Sequence, residues 1–160
     1  WSDIVQTMRD DCATFGVTCI AAYNAAFDFR VMAATHKMLG NTDQILPAGL
    51  KKLCIWQFAC ETKLSQKSYI KMALANGWVS PKGNIKTGAE FAYRYTTMRP
   101  EFIEDHTALS DAIIETTILA ACFQQKRKTP WNRIGGSPWR MVQPKKVIEN
   151  DTHIHGGVTA

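Results

Sequence analysis

The chain has 160 residues, of which 46% are hydrophobic and 21% charged; these values predict one globular domain and exclude a largely disordered chain. Its net charge of +5 suits a nucleic-acid partner without requiring one, because excess Lys and Arg attract phosphate backbones. No stretch reaches the roughly 20 apolar residues of a membrane span, and no signal peptide opens the chain, so we expect no membrane partner.

The five cysteines argue against two classes of protein. An odd count without a Cys-x-x-Cys pair does not fit a disulfide framework or a zinc knuckle. We interpret them as small buried apolar residues of a protein in a reducing, cytoplasmic compartment. They are Cys12, Cys19, Cys54, Cys60 and Cys122.

Apolar spacing predicts alternating helices and short strands. In chain order we expect a helix over 2–12, a buried strand over 17–23, a helix over 26–39, a second strand over 53–58, and helices over 67–76, 87–97 and 107–126. Pro and Gly recur after residue 128, so we predict a domain over 1–128 and a basic, irregular tail over 129–160, loosely ordered beyond Pro144. Trp56, Trp78, Phe91 and Tyr95 are predicted core residues.

Two carboxylates occupy unusual positions. Asp28 follows a predicted strand and heads an apolar stripe on the next helix, which continues through Val31 and Met38. Asp111 heads a second stripe, formed by Ile114, Ile118 and Cys122. Each can be explained as an acidic residue favoured by the helix dipole. Together they also suit a hard divalent ion such as Mg²⁺ or Mn²⁺, which prefers oxygen ligands.

His106 precedes Asp111 by five residues. As a lone loop histidine it could simply be exposed to solvent. Its closeness to Asp111 in sequence makes a catalytic role plausible, because His titrates near neutral pH and can accept a proton from water.

Two sequence runs resemble motifs of the DEDDh (DnaQ-like) 3′–5′ exonucleases. The run YNAAFD at 23–28 resembles the second exonuclease motif, Asn-x-x-Phe-Asp after a strand. The run HTALSD at 106–111 resembles the third motif, His-x-Ala-x-x-Asp at the start of the last long helix. The order of the runs and their predicted strand and helix context agree with the family.

This resemblance implies an α/β, RNase H-like fold, of which the chain holds the helix-rich C-terminal part without the first strands. It implies two Mg²⁺ or Mn²⁺ ions, with Asp28 and Asp111 as ligands and His106 as general base. Asn24 and Phe27 match positions near the terminal nucleotide. The implied substrate is the 3′ end of single-stranded nucleic acid, DNA before RNA, cleaved to nucleoside monophosphates, and a DNA polymerase is an implied partner.

The first family motif, Asp-x-Glu, does not occur in the chain: Asp3, Asp10 and Asp11 lack a Glu two residues later. We therefore expect half of the ligand set, little nuclease activity from these 160 residues alone, and uncovered apolar faces. A non-catalytic nucleic-acid-binding or polymerase-associated module of the same fold is the main alternative. An unrelated helical interaction protein would require both motif matches to be accidental.

The C-terminal segment is rich in basic and aromatic residues. The run 126–128 (KRK) is followed by Arg133, Arg140, Lys145 and Lys146, with Trp131 and Trp139 between them. Such a pattern can track a phosphate backbone and stack on bases. The alternative is a solvated tail that docks on the domain. His153 and His155 resemble a metal-binding pair but suit a flexible tail better.

Overall fold

The computed structural model describes residues 1–142, which form a mixed α/β structure. Over these residues there are six α-helices and one two-stranded parallel sheet. The elements are α1 (Ser2–Thr14), β1 (Cys19–Ala22), α2 (Ala25–Met38), β2 (Lys51–Cys54), α3 (Ile55–Thr62), α4 (Lys67–Ala75), α5 (Ala89–Thr97), α6 (Ala108–Phe123) and a 3₁₀ turn (Pro138–Met141).

The sheet is built from the parallel unit β1–α2–β2. Its register pairs Cys19 with Lys51 and Ala22 with Cys54. The other edge of β2 is bonded by Asn132, whose backbone N–H donates to the Lys52 carbonyl (2.7 Å) and whose side-chain oxygen accepts from the Lys52 N–H (2.9 Å). This contact gives the exposed edge of a short strand the hydrogen bonds that it would otherwise lack.

The predicted strand over 53–58 is wrong beyond Cys54. The strand is Lys51–Cys54, and the chain then enters α3, in which six of eight residues are buried, including Gln57 and Thr62. A short apolar run fits a buried strand and a helix buried on most sides equally well, so periodicity could not distinguish them. The other predicted elements are confirmed with small shifts at their ends.

The core lies around α3 and α6. Phe58 and the α6 stripe of Ile114, Ile118 and Cys122 are buried together, as the spacing of that stripe predicts. Trp78 is also buried, while Trp56, Phe91 and Tyr95 are partly buried and pack against this core, which confirms the predicted core aromatics.

The stripe predicted to face inward on α2 is exposed. Met38 is 86% and Val31 43% exposed, and only Ala25 and His36 of this helix are buried. The stripe is exposed because no described element covers that side of α2. Such an uncovered apolar face is what the absence of the first strands leads one to expect. α2 instead contacts α1 through the Trp1 indole N–H, which donates to His36 Nδ1 (2.9 Å).

The first part of the predicted tail packs on the domain. Pro130, Pro138 and Val142 are buried, and Arg133 forms an ion pair with Glu61 of α3. Residues 129–142 therefore dock on the domain. The other predicted tail residues, Pro144, Lys145, Lys146, His153 and His155, lie outside the described residues.

Two further sequence predictions concern the cysteines and the membrane. All five cysteines are free: Cys54, Cys60 and Cys122 are buried, and Cys12 and Cys19 are partly exposed. Over residues 1–142 no helix combines the length and the apolar character that a bilayer span requires.

We expect the free energy of unfolding to fall as the pH rises from about 9 toward 12. Burial raises the pKa of the Cys60 thiol from 9.0 to about 12 and raises the pKa values of the Tyr23 and Tyr69 hydroxyls. The folded state keeps these protons where the unfolded chain releases them, so their contribution is complete below pH 9 and is lost above it. Urea unfolding at a series of pH values measures this.

Tyr69→Phe separates the effect of one hydroxyl from general alkaline damage. The variant keeps the ring and lacks the ionising group, so its stability should decline less steeply with pH than that of the wild type. Parallel declines in the two proteins would contradict the assignment.

Candidate metal centre

The N-terminal end of α6 is held by local hydrogen bonds. Thr107 caps the helix, its hydroxyl accepting from the Ser110 N–H (3.3 Å). Asp105 accepts from the Thr107 N–H (3.2 Å) and from the Thr107 hydroxyl (3.3 Å). Asp111 lies in the first helical turn, where the positive end of the helix dipole favours its charge.

Three side chains converge at this helix end. Glu104, His106 and Asp111 each offer one ligand atom, and these atoms all lie within 4.8 Å of one another. His106 Nδ1 is 3.7 Å from Glu104 Oε2. The His106 side chain is 79% exposed and that of Glu104 only 14%, so the cluster has a buried carboxylate wall and an imidazole open to solvent.

His106 adopts a left-handed backbone conformation, with φ of 56°. Few non-glycine residues occupy this region, although His does so more often than most. The conformation costs on the order of 1–3 kcal/mol and persists where the surroundings impose it. His106 is the residue immediately before the Thr107 cap of α6.

The cluster concentrates negative charge with little compensation. Burial, hydrogen bonding with Asp111 and the Asp111 charge raise the pKa of Glu104, while His106 lowers it. Asp111 Oδ1 is buried and has no hydrogen-bond partner. An unsatisfied buried oxygen costs about 1–3 kcal/mol, and a divalent cation would satisfy it. The Glu104 and Asp111 carboxylates therefore offer oxygen ligands that fit a hard divalent cation.

Asp28, the other predicted metal ligand, is not one of the three clustered side chains. It lies in the first turn of α2, the helix that follows β1. Burial raises the pKa of Glu115, a backbone hydrogen bond with Tyr23 lowers it, and the charges of Asp28, Asp111 and Glu104 raise it further. The charges of the two predicted aspartates therefore both raise the pKa of this one carboxyl group.

Asn24 and Phe27 lie beside Asp28 on the surface. Asn24 is the residue before α2 and its side chain makes no capping hydrogen bond. Phe27 is 50% exposed, and the Arg30 guanidinium lies 5.6 Å from its ring centroid. Both residues predicted to contact substrate are therefore accessible to solvent. The Arg30 guanidinium beside Phe27 was not predicted from the sequence.

Arg94 on α5 braces the loop that leads into the cluster. Its Nε donates to the Phe102 carbonyl (2.6 Å) and its Nη2 pairs with Glu90 (2.8 Å). Its guanidinium also lies 5.6 Å from the Trp78 ring centroid and 5.1 Å from that of Phe91. Because Phe102 is two residues from Glu104, this brace limits where Glu104 and His106 can lie.

Sequence reasoning missed Glu104, Glu115 and Arg94. One signal was available: Glu115 follows Asp111 by four residues, so both lie on one helix face. Glu104 carried a weaker signal, its position two residues before His106. Nothing in the local sequence around Arg94 indicates that it reaches the Phe102 carbonyl.

Comparison of the chain with protein-family models, with curated proteins and with solved structures found no match.

We expect Mn²⁺ to raise the thermal unfolding midpoint of the wild type and to leave that of Asp111→Asn nearly unchanged. A ligand that binds only the folded state stabilises it by about 2.7 kcal/mol at one hundred times its Kd. Without metal, Asp111→Asn should be at least as stable as the wild type, because the substitution relieves repulsion with Glu104. Thermal melts with Mn²⁺ and with EDTA measure both effects.

Asp3→Asn is the matched control, since Asp3 is an exposed acid in the first turn of α1. It should keep the full response to Mn²⁺. Equal responses of the two variants would show that Asp111 does not bind the ion.

We expect Arg94→Met to lower the free energy of unfolding by about 2 kcal/mol, because hydrogen bonds of charged groups contribute roughly 1.5–3 kcal/mol. The loop should also lose its fixed position, which weakens the Mn²⁺ response. Arg99→Met, an exposed position in the same region, serves as the control. Indistinguishable urea midpoints for the two variants would show that Arg94 does not stabilise this loop.

Proposed function

We propose that this chain carries catalytic residues of a metal-dependent 3′–5′ exonuclease of the DEDDh type, built on an RNase H-like fold. The observation that carries the proposal is the cluster of Glu104, His106 and Asp111 at the start of α6, in which Asp111 Oδ1 is buried without a hydrogen-bond partner. The parallel β1–α2–β2 unit, with Asp28 in the first turn of α2, supports it as well. The substrate would be the 3′ end of single-stranded nucleic acid, DNA in preference to RNA.

The metal-binding residues in this proposal are Asp28, Asp111 and Glu104. Mg²⁺ or Mn²⁺, when bound, supplies the positive charge that neutralises the phosphodiester and stabilises the attacking and leaving oxygens. These three carboxylates would hold the cation. Asp111 Oδ1, which lacks a hydrogen-bond partner in the protein, is the oxygen best prepared for this role.

His106 would act as the general base. Its ring is open to solvent, so one nitrogen can accept a proton from water while Nδ1 faces the Glu104 carboxyl. The carboxylate stabilises the imidazolium that forms. The water oxygen then bonds to the terminal phosphorus, the P–O3′ bond breaks, and the departing O3′ takes a proton from solvent, giving a nucleoside 5′-monophosphate and a shortened strand.

Asn24 and Phe27 would hold the terminal nucleotide. Phe27 presents half of its surface to solvent beside Asp28, which suits stacking on a base. Arg30, next to this ring, would face the neighbouring phosphate. These residues would recognise the 3′ end of a nucleic-acid strand by stacking and charge, without base-specific contacts.

The test uses the full-length protein with single-stranded oligonucleotides carrying a 5′ label. We expect Mn²⁺-dependent shortening from the 3′ end, and its block by a 3′-terminal phosphate. Asp28→Asn and Asp111→Asn should abolish digestion. His106→Ala should slow turnover by about 10²–10⁴-fold while retaining the thermal response to Mn²⁺.

Asp3→Asn should digest at the wild-type rate and controls for a general charge effect. Wild-type rates in either aspartate variant would refute the ligand assignment. An unaltered pH–rate profile in His106→Ala would exclude it as the base.

The second candidate is a non-catalytic nucleic-acid-binding or polymerase-associated module of the same fold. The absence of Asp-x-Glu from the sequence favours it. Binding of oligonucleotide without any metal-dependent shortening would select this candidate over the exonuclease.

A further inference from the structure

The cations and the acidic cluster lie at opposite ends of α6. Asp111 is in the first turn of this helix, and 126–128 (KRK) follows its last turn. The 16 residues of this helix span about 24 Å at 1.5 Å per residue. The charged groups at its two ends therefore have opposite sign.

The docked segment that follows the basic run contacts β2. Asn132 is bonded to Lys52 on both its N–H and its side-chain oxygen, and Pro130 is buried. Lys51 Nζ then lies 5.5 Å from the centroid of the Trp131 ring. We call Lys51, 126–128 and Trp131 the basic–aromatic surface.

These cations are not neutralised by the protein. All three residues of 126–128 and Lys51 are exposed, and within residues 1–142 none of the four forms an ion pair with a carboxylate. The Lys51 amine rests on an aromatic ring that does not cancel its charge. Trp131 remains 36% exposed, which leaves indole surface for another planar group.

We infer that the basic–aromatic surface binds the sugar–phosphate backbone of a single-stranded nucleic acid, several nucleotides upstream of the end held near Asp111. This inference rests on the proposed function. An acidic cluster repels a polyanion, so a strand that reaches it needs attraction elsewhere on the protein. Free cations beside an exposed indole match the combination that binds phosphates and stacks on bases without sequence preference.

Binding is measured in EDTA, so that it does not depend on metal or on cleavage. The probes are fluorescein-labelled oligothymidylates, a trinucleotide and a dodecamer. We expect the dodecamer to bind at least about tenfold more tightly, because the longer strand can place more phosphates against Lys51 and 126–128 than the trinucleotide can. Equal affinities for the two lengths would overturn the inference.

Substitutions then locate the contacts. Lys51→Gln and Lys128→Gln should each weaken dodecamer binding and lower the slope of log K against log salt by about 0.7. Trp131→Ala should weaken dodecamer binding on the order of tenfold. Circular dichroism and thermal melts verify that each variant is folded.

Lys82→Gln is the matched control, because Lys82 is an exposed lysine in the turn after Ser80 and lies outside the surface. Equal losses for Lys82→Gln and Lys51→Gln would reduce the effect to net charge and refute the surface. Polyaspartate that binds with the same dependence on Trp131 would instead indicate an acidic protein partner, which also refutes it.

The two proposals fail in different ways. If the surface variants lose dodecamer binding and no metal condition gives digestion, the binding surface is supported and the exonuclease proposal is refuted. If digestion requires Asp111 and the surface variants bind the dodecamer as the wild type does, the exonuclease proposal is supported and the binding surface is refuted.

Discussion

The parallel pairing of β1 with β2 ends at Ala22 and Cys54, and Tyr23, the next residue, connects this sheet edge to the rest of the domain. Its carbonyl accepts from the Trp56 N–H (2.9 Å) and from the Cys54 thiol (3.4 Å). Its hydroxyl donates to the Thr87 carbonyl (2.7 Å), before α5. One buried tyrosine thereby connects the edge of the sheet to the start of α3 and to the segment before α5.

The candidate site follows from this meeting point. Asp28 lies in the first turn of α2, and Asp111 and Glu115 lie in the first turns of α6. Glu104 and His106 come from the loop that Arg94 braces through the Phe102 carbonyl. Because each group is placed by a different element, their approach depends on packing of the whole domain and not on one local motif.

Charge is distributed unevenly in the same framework. Acidic groups gather where the N-terminal end of α6 favours them, whereas the basic run follows the C-terminal end of that helix, where cations are favoured. Docking of Asn132 on the edge of β2 adds Lys51 and Trp131 to the basic end. A polyanion would therefore meet attraction at one end of α6 and repulsion at the other unless a cation is bound there.

The sequence by itself determined the elements with clear periodicity and clear ends. The buried stripe of α6, the helix α2 ending near Gly40, and the positions of Asp28, His106 and Asp111 at element boundaries could all be predicted, because spacing and capping are local properties. The roles of those residues and the RNase H-like topology remain predictions. Of the predicted 53–58 strand only residues 53–54 lie in β2, and the helix that begins at Ile55 was not predicted.

Only the tertiary structure decided which side chains meet. The roles of Glu104 and Glu115 depend on their partial burial close to Asp111. The role of Arg94 depends on its hydrogen bond to the Phe102 carbonyl, eight residues away along the chain. The apolar stripe of α2 is exposed because no described element packs against it, and the basic segment is docked because Asn132 completes a strand edge. These outcomes depend on contacts between distant residues, whose free energies of burial and hydrogen bonding are not encoded in any local pattern.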